Sequence, residues 1–499
     1  MMAGSVSSTL ATWRGRRILV LLCAVAFLDF VDASITNVAM PHIRTALHFS
    51  AQDLQWVPSA YLLTYGGFML LGGRLADLIG RRTIILCGTS LVAVSSLAGG
   101  LAGNSGVFVG ARLAQGLGAA LMLPAALSTL TTTFREAEDR NKALGVWGAV
   151  AGLSSAVGIL LGGVLTEGPG WRWVMFVNPI ACAVIIPAAL AVLPHDRPAA
   201  ASAKFDLLGS LLATGGVLAL VFALVQAPDQ GWGAARTWWE LAGAGVLLAA
   251  FGVNELITRD PLLPLGIFRT RDLLAANVTG FVGFSGLLAM FYFLTLYMQN
   301  VLGYSPVEAG VAYLPLTFAV GVSAGIGAKL LTKIGSRPVI VAGALISAAG
   351  MFLLGHVPVH GAYAPDILPG LLLIALGTGP VFVGVTSAAN AGVPADKAGA
   401  AAAILNSFQQ TGGALGLAIM SAVATGQTTH SIARGIGLAQ ASTSGYQHAL
   451  LTGCCLTAGA AVVALRIVNT RQASMMAGQS APADEHLPDI DLTAARTTD

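Results

Sequence analysis

Apolar runs of about 20 residues, each long enough to cross a hydrocarbon core as a helix, recur from end to end of the chain with short polar connections between them. They fall near 18–39, 54–75, 83–103, 107–130, 143–166, 173–193, 206–226, 238–257, 275–298, 307–328, 338–355, 367–389, 400–424 and 447–466. This pattern predicts an all-α membrane protein of fourteen transmembrane helices, and an even count puts both termini on one side. Two runs break their own rule. The first contains FLDFVDASITNVAMP, with Asp29 and Asp32 three positions apart, and the fourth contains Arg112. A charge at a bilayer centre costs about 2.5–3.5 kcal/mol on insertion scales, so each of these residues requires a reason.

Charge sets the orientation. Of 26 Lys and Arg, four (Arg44, Arg172, Arg236 and Arg434) lie in loops on the side away from the termini, Arg112 lies in a span, and all the rest lie on the side of the termini. By the positive-inside rule both termini are cytoplasmic and the chain is a multi-pass protein of the cell (inner or plasma) membrane. A charged content of 10% and a mean hydropathy of +0.76 exclude a soluble globular class, and a net charge of +3 is too small to argue for a nucleic-acid partner. The five cysteines sit in or beside apolar runs without metal-ligand spacing, so no metal site is expected. The basic start resembles a signal peptide but lacks a small-residue cleavage pattern and reads as part of the first span. Two connections have room for more than a turn, 425–446 and the polar tail, which reads as disordered.

Loops also repeat. GRLADLIGRR, 73–82, is echoed by AKLLTKIGSR, 328–337, with a small residue, a base, Leu, Ile-Gly and a final Arg at matching offsets. A cytoplasmic motif recurring one half-molecule later predicts two six-helix halves. The resulting division is a cytoplasmic segment 1–17, an amino-terminal six-helix bundle 18–193, two linker helices within 194–260, a carboxy-terminal six-helix bundle 261–466 and a disordered cytoplasmic tail 467–499.

With these motifs the sequence resembles the major facilitator superfamily, and within it the fourteen-span drug:proton antiporter group of QacA-like and EmrB-like exporters. GGRLADLIGRR is similar to the superfamily's loop between spans 2 and 3, and RLAQGLGAA, 112–120, to its span 4 signature of Arg112, Gln115 and Gly116. Asp32, Ser34, Asn37, Val38, Ala39 and Pro41 follow the group's first-helix pattern; QWVPSAYLL at 55, GWRWVMFVN at 170 and YMQNVLGYSPVEAG at 297 are further matches. The resemblance implies that the loop formed by Gly73, Asp77, Gly80, Arg81 and Arg82 is a cytoplasmic latch holding one alternating state shut. On physical grounds Gly73 allows close helix approach and Gly80 a turn. Asp77 either sits at a helix N-terminus or pairs with an arginine, and the two arginines equally satisfy the positive-inside rule. Span 5 carries Gly148, Gly152, Gly158, Gly162 and Gly163, spacing that supports tight packing. The resemblance places an antiporter motif there, but Ile159 stands where that motif has proline.

Asp29 and Asp32, at i and i+3, share a helix face. With spans alternating in direction, Arg112 and Asp32 lie at similar depths, about 8 and 12 Å below the outer ends of their helices at about 1.5 Å per residue. A buried guanidinium faces a bundle interior and finds a carboxylate partner, with Gln115 on the same face extending the network. Two acids this close repel when both are ionised, so the group Asp32, Asp29 and Arg112 suits the exchange of one proton. Asn37, Asn277, Tyr292, Asn406, Gln409 and Gln410 are candidates to line a cavity, each equally a helix–helix hydrogen bond. No GxxxxGK[ST] or HExxH run occurs, which argues against ATP-driven transport and a zinc enzyme.

The expectation is therefore a non-enzymatic, proton-coupled secondary transporter exporting hydrophobic or cationic drug-like compounds, as in multidrug or antibiotic efflux, by alternating access. It would need no cofactor beyond the proton gradient, bind a small hydrophobic substrate and the lipid bilayer, and act as a monomer. The alternatives are a facilitator or importer of a small metabolite on the same fold, and a polytopic membrane enzyme or sensor.

Overall fold

The computed structural model describes residues 9–50, 53–134, 136–194, 206–258, 271–390 and 398–469. Among them fifteen α-helices follow one another. They are α1 (Trp13–Ala46), α2 (Trp56–Ile79), α3 (Arg81–Gly100), α4 (Ser105–Thr133), α5 (Ala137–Glu167), α6 (Arg172–Val192), α7 (Leu207–Gln230), α8 (Ala235–Ile257), α9 (Arg271–Asn300), α10 (Pro306–Ala312), α11 (Leu314–Ile334), α12 (Ser336–Leu354), α13 (Leu368–Asn390), α14 (Ala398–Ala433) and α15 (Leu438–Ala464). α10 and α11 run on from each other across Tyr313 as one rod. Ten of these stretches are long and apolar enough to cross a membrane, and α2, α5, α7 and α14 add helices of 24, 31, 24 and 36 residues.

Local sequence explains the ends. Thr12 caps α1 by accepting from Gly15 N at 3.0 Å, Asn104 caps α4 by accepting from Val107 N at 2.9 Å, and Ser305 with Glu308 forms a full capping box on α10. Gly80 (φ +109°) and Gly335 (φ +89°) are the single residues between α2 and α3 and between α11 and α12. Both occupy the left-handed region that a side chain resists, so the repeated loop is a repeated backbone turn.

Two groups of helices carry the same contacts. In the first, α1 packs on α5, α3 on α4 and α6, and α2 on α4. In the second, α9 packs on α14 and α15, α12 on α13 and α15, and α11 on α13. α7 and α8 pair with each other, and α7 reaches the bundle against α2 and α14.

The structure contains the first span, 18–39, within a longer helix, α1, of 34 residues that continues through Pro41, and corrects one expectation. The expected loop at 425–446 is mostly helix, with only 434–437 between α14 and α15. Its polar residues bind the neighbouring helix: Gln427 Nε2 donates to Ser444 Oγ at 3.2 Å, and a Cβ on Gly445 would lie 2.7 Å from Ala424 O, so the two backbones touch there. The tail beyond Asn469 lies outside the described residues.

Candidate functional site

Asp32 lies in the middle of α1, 2% exposed, facing α3, α4 and α6. Arg112 Nη1 donates to its Oδ2 at 3.0 Å, a pair in which both side chains are almost wholly buried. Gln115 Nε2 donates to Asp32 Oδ1 at 3.0 Å, and Asn178 Nδ2 donates to the same oxygen. Arg112 is held from three more directions. Its Nε donates to Val57 O at 3.1 Å, its Nη1 to Gln115 Oε1 at 2.8 Å, and its guanidinium carbon sits 4.5 Å from the centre of the Tyr61 ring. Ser96 on α3 closes the network, accepting from Gln115 Nε2 at 2.6 Å and Asn178 Nδ2 at 3.1 Å. An ion pair taken out of water survives only when further hydrogen bonds satisfy its remaining valences. Here Asp32 accepts from three side chains and Arg112 donates to three groups.

Asp29 lies one turn away, also 2% exposed, with a different environment. Tyr61 and Tyr65, both on α2, each donate a phenol to one of its oxygens at 2.9 Å. The two acids share a helix face yet face separate partners. Tyr61 joins them, with its hydroxyl on Asp29 and its ring against Arg112.

Small residues make this convergence possible. A Cβ on Gly116 would collide with Tyr61 O, so α4 lies close against α2, and Thr64 Oγ1 donates across to Leu113 O at 2.8 Å. A Cβ on Gly158 would lie 2.9 Å from Val31 O and one on Gly162 2.6 Å from Ile35 O. These two glycines press α5 onto the acid-bearing part of α1. Gly163 instead meets α10, 2.8 Å from Val307 Cα, while Gly148 faces open space. Gly152 lies on α5 between Gly148 and Gly158. Ile159, in place of proline, leaves α5 continuous, and its carbonyl lies 3.0 Å from a Cβ position on Gly310 of α10.

The loop residues are dispersed. Gly73 lies 3.8 Å, by its Cβ position, from Pro124 of α4. Arg81 Nη1 donates to Thr132 Oγ1 of α4 at 2.7 Å, and Arg82 Nη2 to Leu190 O of α6 at 2.6 Å. Asp77 belongs to the last turn of α2, which corrects the expectation of a helix N-terminus there: the turn at Gly80 comes three residues later. Its side chain is not described.

The remaining candidates do not converge. Asn37 donates weakly to Ala33 O on its own helix at 3.4 Å, and Asn277 to Leu273 O at 2.7 Å. Tyr292 is buried with its ring against Phe293, and Asn406 is half-buried on α14. Gln410 keeps a buried Oε1 without a hydrogen-bond partner where α14 meets α2. Gln409 lines a cavity of about 50 Å³ among α9 and α12–α15, together with Thr279, Ser347, Thr378 and Thr457.

The two helix groups meet at the end away from the termini. Gln299 Nε2, at the close of α9, donates to Val38 O near the close of α1 at 2.9 Å, and α5 meets α10 through Gly163 and Gly310. Deeper in, Ser407 Oγ of α14 donates to Gly66 O of α2 at 2.5 Å.

Sequence reasoning missed Tyr61, Tyr65, Ser96 and Asn178. Tyr61 and Asn178 lie within quoted motifs, QWVPSAYLL and GWRWVMFVN. A polar residue at i+4 from Tyr61 on the same face was the available signal for Tyr65, whereas Ser96 carried none.

The Major Facilitator Superfamily model matches residues 22–417. The chain is 41% identical over 419 residues to the puromycin resistance protein pur8 of Streptomyces alboniger, covering 83% of each. It is 37% identical to the cephamycin export protein CmcT of Amycolatopsis lactamdurans, over 86% of this chain and 89% of that one. Among solved structures, the POT family transporter PepTSo superposes with a TM-score of 0.66 at 17% identity, over 93% of this chain and 99% of that one, a likeness of fold. The chain belongs to the major facilitator superfamily.

Proposed function

We propose that this transporter is a proton-coupled exporter of hydrophobic, drug-like small molecules, crossing the membrane fourteen times as a monomer with both termini in the cytoplasm. The division into halves at 18–193 and 261–466, with α7 and α8 as linker helices, belongs to this reading. Export of an antibiotic-like cargo is supported by the relatives named for puromycin resistance and cephamycin export. Coupling is supported by one observation above the rest: a buried carboxylate, Asp32, held by Arg112 at 3.0 Å inside a closed network.

The cycle follows from that pair. With the outer end closed and the site facing inward, Asp32 is an anion neutralised by Arg112 and tethered by Gln115 and Asn178. Cargo enters from the cytoplasm or inner leaflet. When the halves rock and the outer end opens, a proton from outside neutralises Asp32 and loosens its hold on Arg112, and cargo leaves. Return to the inward state expels the proton, because re-forming the ion pair requires the carboxylate. Asp29, held by the phenols of Tyr61 and Tyr65, is the second titratable position.

A second reading, a facilitator or importer on the same fold, is favoured by Ile159 in place of the antiporter proline. The test is expression in an exporter-deficient host against a panel including puromycin and a cephamycin, followed by addition of the active compound to everted vesicles holding a preset proton gradient. Protection and dissipation of the gradient are expected; protection without dissipation would select the facilitator.

A further inference from the structure

On the flank of the amino-terminal group, at the end where the chain begins, the first turn of α1, the start of α3 and the end of α6 enclose a crevice of about 560 Å³. It is lined by Trp13, Arg14, Arg17, Arg82 and residues 190–194, with no carboxylate among them. Arg14 and Arg17 are three apart on one face of α1, and the bond from Arg82 Nη2 to Leu190 O fixes the third guanidinium against the wall formed by α6. Below the crevice the surface is apolar: Val20, on the same face as Trp13, is 69% exposed and Val184 on α6 is 70% exposed. The positive-inside rule accounts for bases on this side. It does not account for three guanidiniums from two helices meeting in one crevice that opens onto apolar helix faces. Arginine forks match phosphate oxygens, and an indole at the rim suits the headgroup level.

We infer that this crevice binds the phosphate headgroup of an anionic phospholipid whose acyl chains lie along α1 and α6. Arg82 closes the loop that the resemblance assigns to a latch, yet it turns toward this flank while Arg81 turns to α4. A bound lipid would therefore clamp the start of α3 to α1 and α6.

The test is native mass spectrometry of the full chain taken from phosphatidylcholine vesicles with and without phosphatidylglycerol. The expected result is retained phosphatidylglycerol adducts, weakened about fivefold for each arginine removed, hence about 25-fold in R14Q/R17Q, with R82Q as an independent single variant and R14K/R17K restoring most of the binding. R236Q, whose exposed arginine pairs with Glu240 elsewhere, should leave it unchanged, and matching melting curves establish that the variants are folded. Undiminished adducts in both R14Q/R17Q and R82Q, or an equal loss in R236Q, would overturn the site. Displacement by millimolar inorganic phosphate as readily as by phosphatidylglycerol would overturn the lipid assignment in favour of a free phosphate anion.

Discussion

The two helix groups share a scaffold and differ in what fills it. A Cβ on Gly88 would lie 2.6 Å from Gly118 O between α3 and α4, and one on Gly343 lies 2.7 Å from Gly377 O between α12 and α13. Gly158 and Gly162 press α5 onto α1 as Gly412 and Gly416 press α14 onto α9. At the centre of the first group, α1, α3, α4 and α6 contribute Asp32, Ser96, Arg112, Gln115 and Asn178 to one polar network. The corresponding helices of the second, α9, α12, α13 and α15, surround a mostly apolar cavity with hydroxyls and Gln409 of α14 at its edge. The backbone contacts, which any small residue at the crossing satisfies, recur in both groups, while the Asp32–Arg112 network lies in the first. In our reading the amino-terminal group handles the proton and the carboxy-terminal cavity accommodates apolar parts of the cargo.

The largest effect should come from breaking the pair. Arg112→Gln leaves Asp32 buried without its cation and should cost about 3–5 kcal/mol of stability, read as a lower melting temperature together with loss of transport. Asp32→Asn/Arg112→Gln should recover part of that stability without recovering transport; a double variant less stable than Arg112→Gln alone would show that the two residues are not coupled. Next in size, Gly88→Leu and Gly343→Leu should each destabilise by about 1–3 kcal/mol, and to similar extents, since both glycines face a backbone. A large difference between them would break the equivalence of the two scaffolds.

Tyr65→Phe removes one of the two phenols on Asp29 and should cost about 1–2 kcal/mol, as should Tyr61→Phe, whereas Tyr61→Leu should change transport more than Tyr65→Leu, because only the Tyr61 ring also lies against Arg112. The smallest effect on stability should come from Gly283→Ala in the second cavity, where the added methyl has room, 3.7 Å from Ala460 Cβ. It should leave the melting temperature nearly unchanged and shift the KM for cargo about threefold to tenfold at an unaltered proton-to-cargo ratio. A changed ratio would place coupling chemistry in both halves.

Much of this was legible in the sequence because lipid is a demanding solvent. The all-helical membrane architecture follows from apolar runs of spanning length, the pairing of Asp32 with Arg112 from the rule that a charge in a span needs a partner, and their matching depths from helix rise alone. Asn178 and Ser96 were not legible, since a neutral polar residue in a span carries no such obligation and its partner depends on how three helices rotate. Asp29 shows the limit from the other side: its helix face was predictable, but not that two tyrosines from α2 would take it in place of Arg112. The 425–446 segment misled because its composition describes a loop, whereas contact between α14 and α15 holds it helical.

The most direct test of the division of labour is Asp32→Asn in everted vesicles, measuring gradient-driven uptake beside gradient-independent exchange of labelled for unlabelled cargo. The account predicts that gradient-driven uptake is lost while exchange persists, because cargo sites and rocking remain and only the proton step is missing. Gradient-driven uptake at the wild-type rate would contradict it.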